Sequence, residues 1–142
     1  MKISAKSDYA CRSLLELSLH WPSDVPLQVN EIAERQSIPI KFLIHILISL
    51  KQAGFVKSTR GKRGGYILAK PPTEIRLNDI WKRLEGENIS SGGVLKKRGH
   101  PDVLAGVWDE VENGISSIMR GITFEDICNR ARANNKNFSY EI

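Results

Sequence analysis

The segment from residue 29 to residue 69 constrains the fold more than any other part of the chain. Residues 29–36 and Pro39–Ala53 each carry apolar side chains at helical spacing, and Ser37-Ile38-Pro39 separates the two runs. Proline suits the first turn of a helix, because its missing N–H costs no intrahelical hydrogen bond there. The sequence therefore predicts two helices joined by a tight turn.

Two β-prone runs follow the second of these helices, at residues 55–58 and 66–69. They flank the loop Thr59-Arg60-Gly61-Lys62-Arg63-Gly64-Gly65, so this region is predicted to form a hairpin. Two helices, a short turn and a hairpin are the plan of a winged helix-turn-helix, in which the second helix enters the DNA major groove. A nucleotide phosphate loop is a poor alternative, because it would join a strand to a helix.

Helical spacing predicts the rest of the chain to be mainly α. Further helices are expected at 7–20, with Ser4 or Ser7 as the cap, at 73–84, at 102–121, and after Thr123, with Asp126 completing an approximate capping box. The tail after Arg132 is expected to fray. The predicted fold is therefore mainly α with a small β-hairpin wing. Its parts are a winged helix-turn-helix head at 1–84, a flexible sensor-type loop at 85–101, and a dimerisation helix, last helix and tail at 102–142.

The positive charge of the chain is concentrated where this motif lies. The net charge is +5, and residues 35–73 contain eight Lys or Arg and no acidic residue. Such a field attracts a polyanion, and a polar stripe on the third helix, which includes Gln52, would face base edges. Double-stranded DNA is therefore the predicted partner. The candidate DNA-contacting residues are Lys41, Phe42, His45, Ser49, Arg60, Lys62, Arg63, Gly64 and Tyr66.

The helix predicted at 102–121 carries an apolar stripe longer than a short capping helix needs. A stripe of this length requires a partner surface, so it predicts a homodimer. The candidate interface residues are Leu104, Val107, Trp108, Val111, Ile115 and Ile118.

Other classes of function have weaker support. The three histidines show no metal-ligand spacing and no nucleophile is paired with a base, so the chain is predicted not to be an enzyme. No apolar run is long enough to span a membrane, and the first residues do not resemble a signal peptide, so a cytoplasmic protein is expected. The alternatives are a winged-helix module that binds only proteins and, less well supported, an RNA-binding protein.

Several segments together match the sequence pattern of a known protein family. They are Met1-Lys2-Ile3-Ser4 with Tyr9-Ala10, Glu31-Ile32-Ala33-Glu34-Arg35-Gln36, Ile38-Pro39, Phe42-Leu43, Gly54-Phe55-Val56-Lys57-Ser58, Arg60-Gly61, Gly64-Gly65-Tyr66-Ile67-Leu68-Ala69, Pro71-Pro72, Val107-Trp108-Asp109-Glu110-Val111 and Gly121-Ile122-Thr123-Phe124. On these residues the chain resembles the Rrf2 family of bacterial transcription regulators over nearly its whole length. The Gly-Gly-Tyr wing is the most specific part.

The resemblance implies a homodimer built on the long fifth helix, with one DNA-binding head per subunit. Many members of the family sense iron–sulfur status through three cysteines near the start of that helix, but no cysteine lies between Gly86 and Leu104 here. If an iron–sulfur cluster is bound, its candidate ligands are Cys11, Cys128, Asp8 and His100, and a dimer would supply two copies of each cysteine. The alternative is that Cys11 and Cys128 are small buried core residues.

Overall fold

The structure, a computed structural model, describes residues 3–86 and 102–140, with side chains in the second range up to residue 135. Residues 87–101, which contain His100 and most of the predicted loop, lie outside the described residues. Within the described ranges the elements are α1 (Ala5–Leu19), α2 (Val29–Gln36), α3 (Ile40–Gln52), β1 (Val56–Thr59), β2 (Gly65–Leu68), a 3-10 turn (Pro72–Glu74), α4 (Leu77–Glu85), α5 (Val103–Arg120) and α6 (Phe124–Tyr140).

Two predictions about helix boundaries are wrong. The fourth helix begins at Leu77 rather than at Thr73, because Pro72–Glu74 forms a 3-10 turn and Ile75 is extended. The tail after Arg132 is helical as far as Tyr140. The Thr123 hydroxyl accepts from the Asp126 N–H, and the Asp126 carboxylate accepts from the Thr123 N–H, so the predicted capping box starts α6. Once nucleated, a helix extends through polar residues at little cost.

The start of α1 is tied to the end of α4. Ser4 caps α1 by accepting from the Ser7 N–H at 3.2 Å. The hydroxyls of Ser4 and Ser7 both donate to one carboxylate oxygen of Glu85, and these hydrogen bonds hold the pKa of Glu85 below its usual range. The two serines therefore fix where the N-terminal turn of α1 lies relative to α4.

One hydrophobic core joins α1, α2, α3, the hairpin and the start of α6. Its fully buried side chains include Leu14, Ile32, Leu43 and Phe124. Since α3 contributes four buried residues to this core, its axis is fixed and its remaining faces are left outside. Among the described residues, no helix is long and apolar enough to cross a membrane.

The chain returns to the head after α5. The Leu77 N–H donates to the Ile122 carbonyl and the Phe124 N–H donates to the Ile75 carbonyl, both at 2.9 Å. From there α6 packs against α1 and buries Cys128. The last helix, which the sequence groups with the dimerisation helix, therefore also contributes to the core of the head within one chain.

Candidate nucleic-acid interface

A tight turn orients α3 against α2. Ser37 ends α2 in the left-handed conformation with φ 53°, and the Ile38 N–H donates to the Ala33 carbonyl at 2.9 Å. Ile38 is buried, and Pro39 precedes the first residue of α3. The predicted helix–turn–helix is therefore present, and its second helix has only one face in the core.

The outer face of α3 carries the predicted polar stripe. Lys41, His45 and Gln52 are exposed, Ser49 is half-buried, and Phe42 projects beside them with 62% of its surface exposed. Lys41 and His45 lie in the N-terminal half of the helix, the part that reaches base edges in a helix-turn-helix. The whole helix is free of acidic residues, so this face can approach a polyanion without charge repulsion.

The wing is a regular antiparallel hairpin with its cations at the tip. Val56 pairs with Leu68 and Thr59 with Gly65. The loop closes through the Gly64 N–H, which donates to the Gly61 carbonyl at 3.0 Å, and Gly61 has a φ of 109° that favours glycine. The tip cations are exposed and form no ion pair with a described residue; they are Arg60, Lys62 and Arg63.

Backbone contacts fix the wing to the segment that leads into α2. Leu27 and Tyr66 exchange two hydrogen bonds, at 2.9 and 2.8 Å, and the Gln28 side-chain amide donates to the Lys62 carbonyl at 3.2 Å. Since Gln28 is the residue that precedes α2, the wing tip and the helix-turn-helix form one unit.

Gly64 and Tyr66, which the sequence predicts as DNA contacts, have internal roles in the structure, as does the neighbouring Gly65. A Cβ added at Gly64 would overlap the Thr59 carbonyl, and one at Gly65 would overlap the Leu27 carbonyl. Tyr66 is half-buried and packs against the core. The Gly-Gly-Tyr sequence is therefore needed to close the wing and dock it, whether or not DNA is present.

The structure also exposes residues on α3 that the sequence analysis did not select. Ile40, Ile44 and Ile48 are 43%, 44% and 44% exposed. Their spacing of four residues is visible in the sequence and could have shown that they share one side of the helix. On the side of Phe42, a cavity of about 520 Å³ opens between α3 and the first turns of α1. Its lining residues are Ala5, Lys6, Tyr9, Phe42, His45, Ile46 and Ser49.

The stripe predicted on α5 is largely exposed in the single chain. Trp108 is 55% exposed and Ile118 is 68% exposed, whereas Ile115 is half-buried. Leu104, Val107 and Val111 complete the exposed side, together with Val103, which the prediction omitted.

Within a single chain, the described residues do not form a metal or cluster site. Among them, no group of three or more His, Cys, Asp or Glu side chains is close enough to hold a metal ion. Cys128 faces Ser18, which lies two turns, about 10 Å, along α1 from Cys11, and Asp8 pairs instead with Arg12 at 2.8 Å. Burial raises the pKa of both thiols, and burial together with the nearby Asp8 carboxylate raises the pKa of Cys11 to about 11, which disfavours the thiolate that binds iron.

Comparison with known proteins agrees with the helix-turn-helix and wing seen in the structure. The family model described as Rrf2, iron-dependent transcriptional regulator, matches residues 3–130. An HTH-type transcriptional regulator of Synechocystis is 37% identical over 135 residues, which cover 94% of this chain and 91% of that protein. Among solved structures, T. potens IscR shares 33% identity with a TM-score of 0.78, over 92% of this chain and 88% of that one. CymR, the global cysteine regulator of B. subtilis, shares 29% identity with a TM-score of 0.81, over 92% of this chain and 98% of that one.

The fold and these similarities define a winged helix-turn-helix transcription regulator that binds DNA. The chain belongs to the Rrf2 family. Because its relatives are transcription regulators, the prediction that the chain is not an enzyme is confirmed, and a module that binds only proteins is not favoured.

Proposed function

We propose that the chain acts as a homodimer whose two heads bind duplex DNA, with α3 in the major groove and the wing on the adjacent backbone or minor groove. The main support is that the exposed side chains of α3 and of the wing come from one stretch, residues 35–73, that contains no acidic residue. Together they present hydrogen-bonding side chains on the helix and, at the hairpin tip, cations that form no ion pair with a described residue. The contact between Gln28 and Lys62 holds the wing tip against the residue that precedes α2, the first helix of the helix-turn-helix.

Lys41→Ala and His45→Ala test the role of α3 in reading bases. Both side chains are exposed and neither belongs to the hydrophobic core, so each variant is expected to fold as the wild type does. We expect either change to alter which duplexes are selected from a random-sequence library, with a loss of about 1–3 kcal/mol on the preferred duplex. Lys51→Ala, which removes an exposed cation from the last turn of α3, is the control and should leave the preference unchanged. Unaltered preference and affinity in both test variants would exclude α3 from base recognition.

The wing cations are expected to determine part of the salt dependence of binding. Each phosphate contact that is lost should lower the slope of log K against log salt concentration by about 0.9 per bound head. Lys62→Ala combined with Arg63→Ala is therefore expected to flatten the salt dependence measured by fluorescence anisotropy. Arg132→Ala, which removes one charge from α6, should leave the slope unchanged. A double variant with the wild-type slope would place the wing outside the interface.

The dimer is proposed from the exposed apolar side of α5. An 18-residue helix that leaves Val107, Trp108, Val111 and Ile118 exposed presents more contiguous apolar surface than a monomer usually does. A second copy of the same helix offers a complementary apolar surface, as in other isologous dimers. Two heads then read two half-sites whose spacing follows the helical repeat of DNA.

Cys11 and Cys128 are proposed to serve as packing residues, because the geometry does not bring them together as ligands. Cys11→Ala and Cys128→Ala are expected to bind DNA as the wild type does. After anaerobic incubation with iron and sulfide, both should have the same iron content and visible absorption as the wild type. An absorption band present in the wild type and lost in either variant would instead identify that cysteine as a cluster ligand.

A further inference from the structure

Two exposed isoleucines of α3, Ile44 and Ile48, have no explanation in the folding of the chain. Surface positions of a helix favour residues such as Lys, Glu and Gln, whereas β-branched isoleucine has a lower helix propensity. Ile44 and Ile48 are each 44% exposed, and the core of the head is formed by other residues of the same helix. Neither helix propensity nor core packing therefore requires isoleucine at these two positions.

Their position on the helix relates them to the polar stripe. Ile44 lies three residues after Lys41, and Ile48 lies three residues after His45, so each is a neighbour of one stripe residue on the helix surface. The stripe has the cavity beside α1 on one side and these isoleucines on the other. Any duplex close enough to contact Lys41 and His45 is therefore also close to Ile44 and Ile48.

The chemistry of the major groove offers one natural apolar partner. The base edges there present hydrogen-bond donors and acceptors, and thymine adds a C5-methyl group. Ile44 and Ile48 are about one helical turn apart, about 6 Å along the helix axis, which is more than the 3.4 Å rise of one base step. The two side chains can therefore contact methyl groups at separate positions of one half-site.

We infer that Ile44 and Ile48 are specificity-determining residues that contact thymine methyl groups, so that the operator carries thymines at the base steps facing the middle of α3. This inference rests on the proposed function, because it requires α3 to lie in the major groove. These contacts add a preference for thymine that the polar stripe alone cannot supply, since hydrogen bonds to base edges do not detect the methyl group.

Deoxyuridine substitution tests the inference directly, because uracil keeps the base pairing and hydrogen-bonding edges of thymine and lacks only the methyl group. Duplexes selected by the wild-type protein from a random-sequence library would be resynthesised with deoxyuridine at one thymine at a time. We expect one or two positions in each half-site to lose about three- to tenfold in affinity when the methyl group is removed.

The protein variants assign that loss to particular residues. Ile44→Ala and Ile48→Ala are each expected to bring the thymine-to-uracil affinity ratio close to one at a single position. His45→Ala should weaken binding while keeping the ratio, and Val25→Ala, which shortens an exposed aliphatic side chain outside α3, should change neither. Binding that is equal for thymine and uracil duplexes, or a ratio unaltered in both isoleucine variants, would overturn the inference and leave the proposed function standing. Failure to bind any duplex would overturn both.

Discussion

Val111→Lys is expected to separate the dimer into monomers and to weaken DNA binding at least about a hundredfold. Val111 is 46% exposed in the single chain, so a lysine can reach solvent there and the monomer should fold normally. In the proposed seam the same lysine would be buried without a partner, and the symmetry of the dimer would place two copies in one interface. Removing an ammonium group from water costs several kcal/mol per ion, which exceeds what one apolar contact contributes.

Sedimentation velocity and anisotropy titration with a selected duplex measure the two consequences of this change. Asn113→Lys is the matched control, because it introduces the same charge on an exposed position of α5 about 160° from the centre of the stripe. The control should remain dimeric and keep wild-type affinity. If Val111→Lys also sediments as a dimer, the subunits associate through another surface.

Gly65→Ala is expected to lower the free energy of unfolding by about 2–4 kcal/mol and to reduce DNA affinity. The added methyl group would overlap the Leu27 carbonyl, which accepts the hydrogen bond from the Tyr66 N–H. The strand must then move away from Leu27, so overpacking is combined with the loss of two backbone hydrogen bonds. The same contact docks the wing against the segment before α2. In the Gly65→Ala protein the wing cations would therefore no longer be held in place relative to the helix-turn-helix.

Urea unfolding and duplex titration of the same variant test both effects. Gly106→Ala is the control: this glycine lies within α5, away from the stripe, and an added Cβ would meet nothing within 4 Å. It is expected to stabilise the protein by about 0.5–1 kcal/mol, because alanine is the better helix former. A Gly65→Ala protein as stable as the wild type would show that the Leu27 pairing does not hold the wing.

Local patterns in the sequence were sufficient for most of the secondary structure. The Ser37-Ile38-Pro39 break, the glycines between two β-prone runs and the Thr123–Asp126 box are signals carried by a few neighbouring residues, and the structure has a turn, a hairpin and a helix start at those places. The start of α4 could not be found in this way. Ile75 pairs with Phe124, so a contact across almost fifty residues decides where that helix begins.

The candidate site was only partly predictable for the same reason. The absence of acidic residues and the eight cations at 35–73 can be counted along the chain, and they indicated the surface formed by α3 and the wing. The sequence also contains the period of Ile40, Ile44 and Ile48. Leu43, Ile46, Leu47 and Leu50 form one apolar stripe in the sequence, and this stripe enters the core. Only the structure shows that the three isoleucines, which repeat with the same spacing, stay largely outside it.

The sequence by itself determined the class of fold, because turn residues and helical or alternating periodicity depend on near neighbours alone. Tertiary structure decided which apolar residues stay exposed, why Gly64 and Gly65 cannot carry side chains, and that Cys128 faces Ser18, two turns along α1 from Cys11. Each of these depends on segments distant in sequence, such as Leu27 against Tyr66 or α6 against α1. Burial and steric overlap are properties of such pairs, and no local pattern records them.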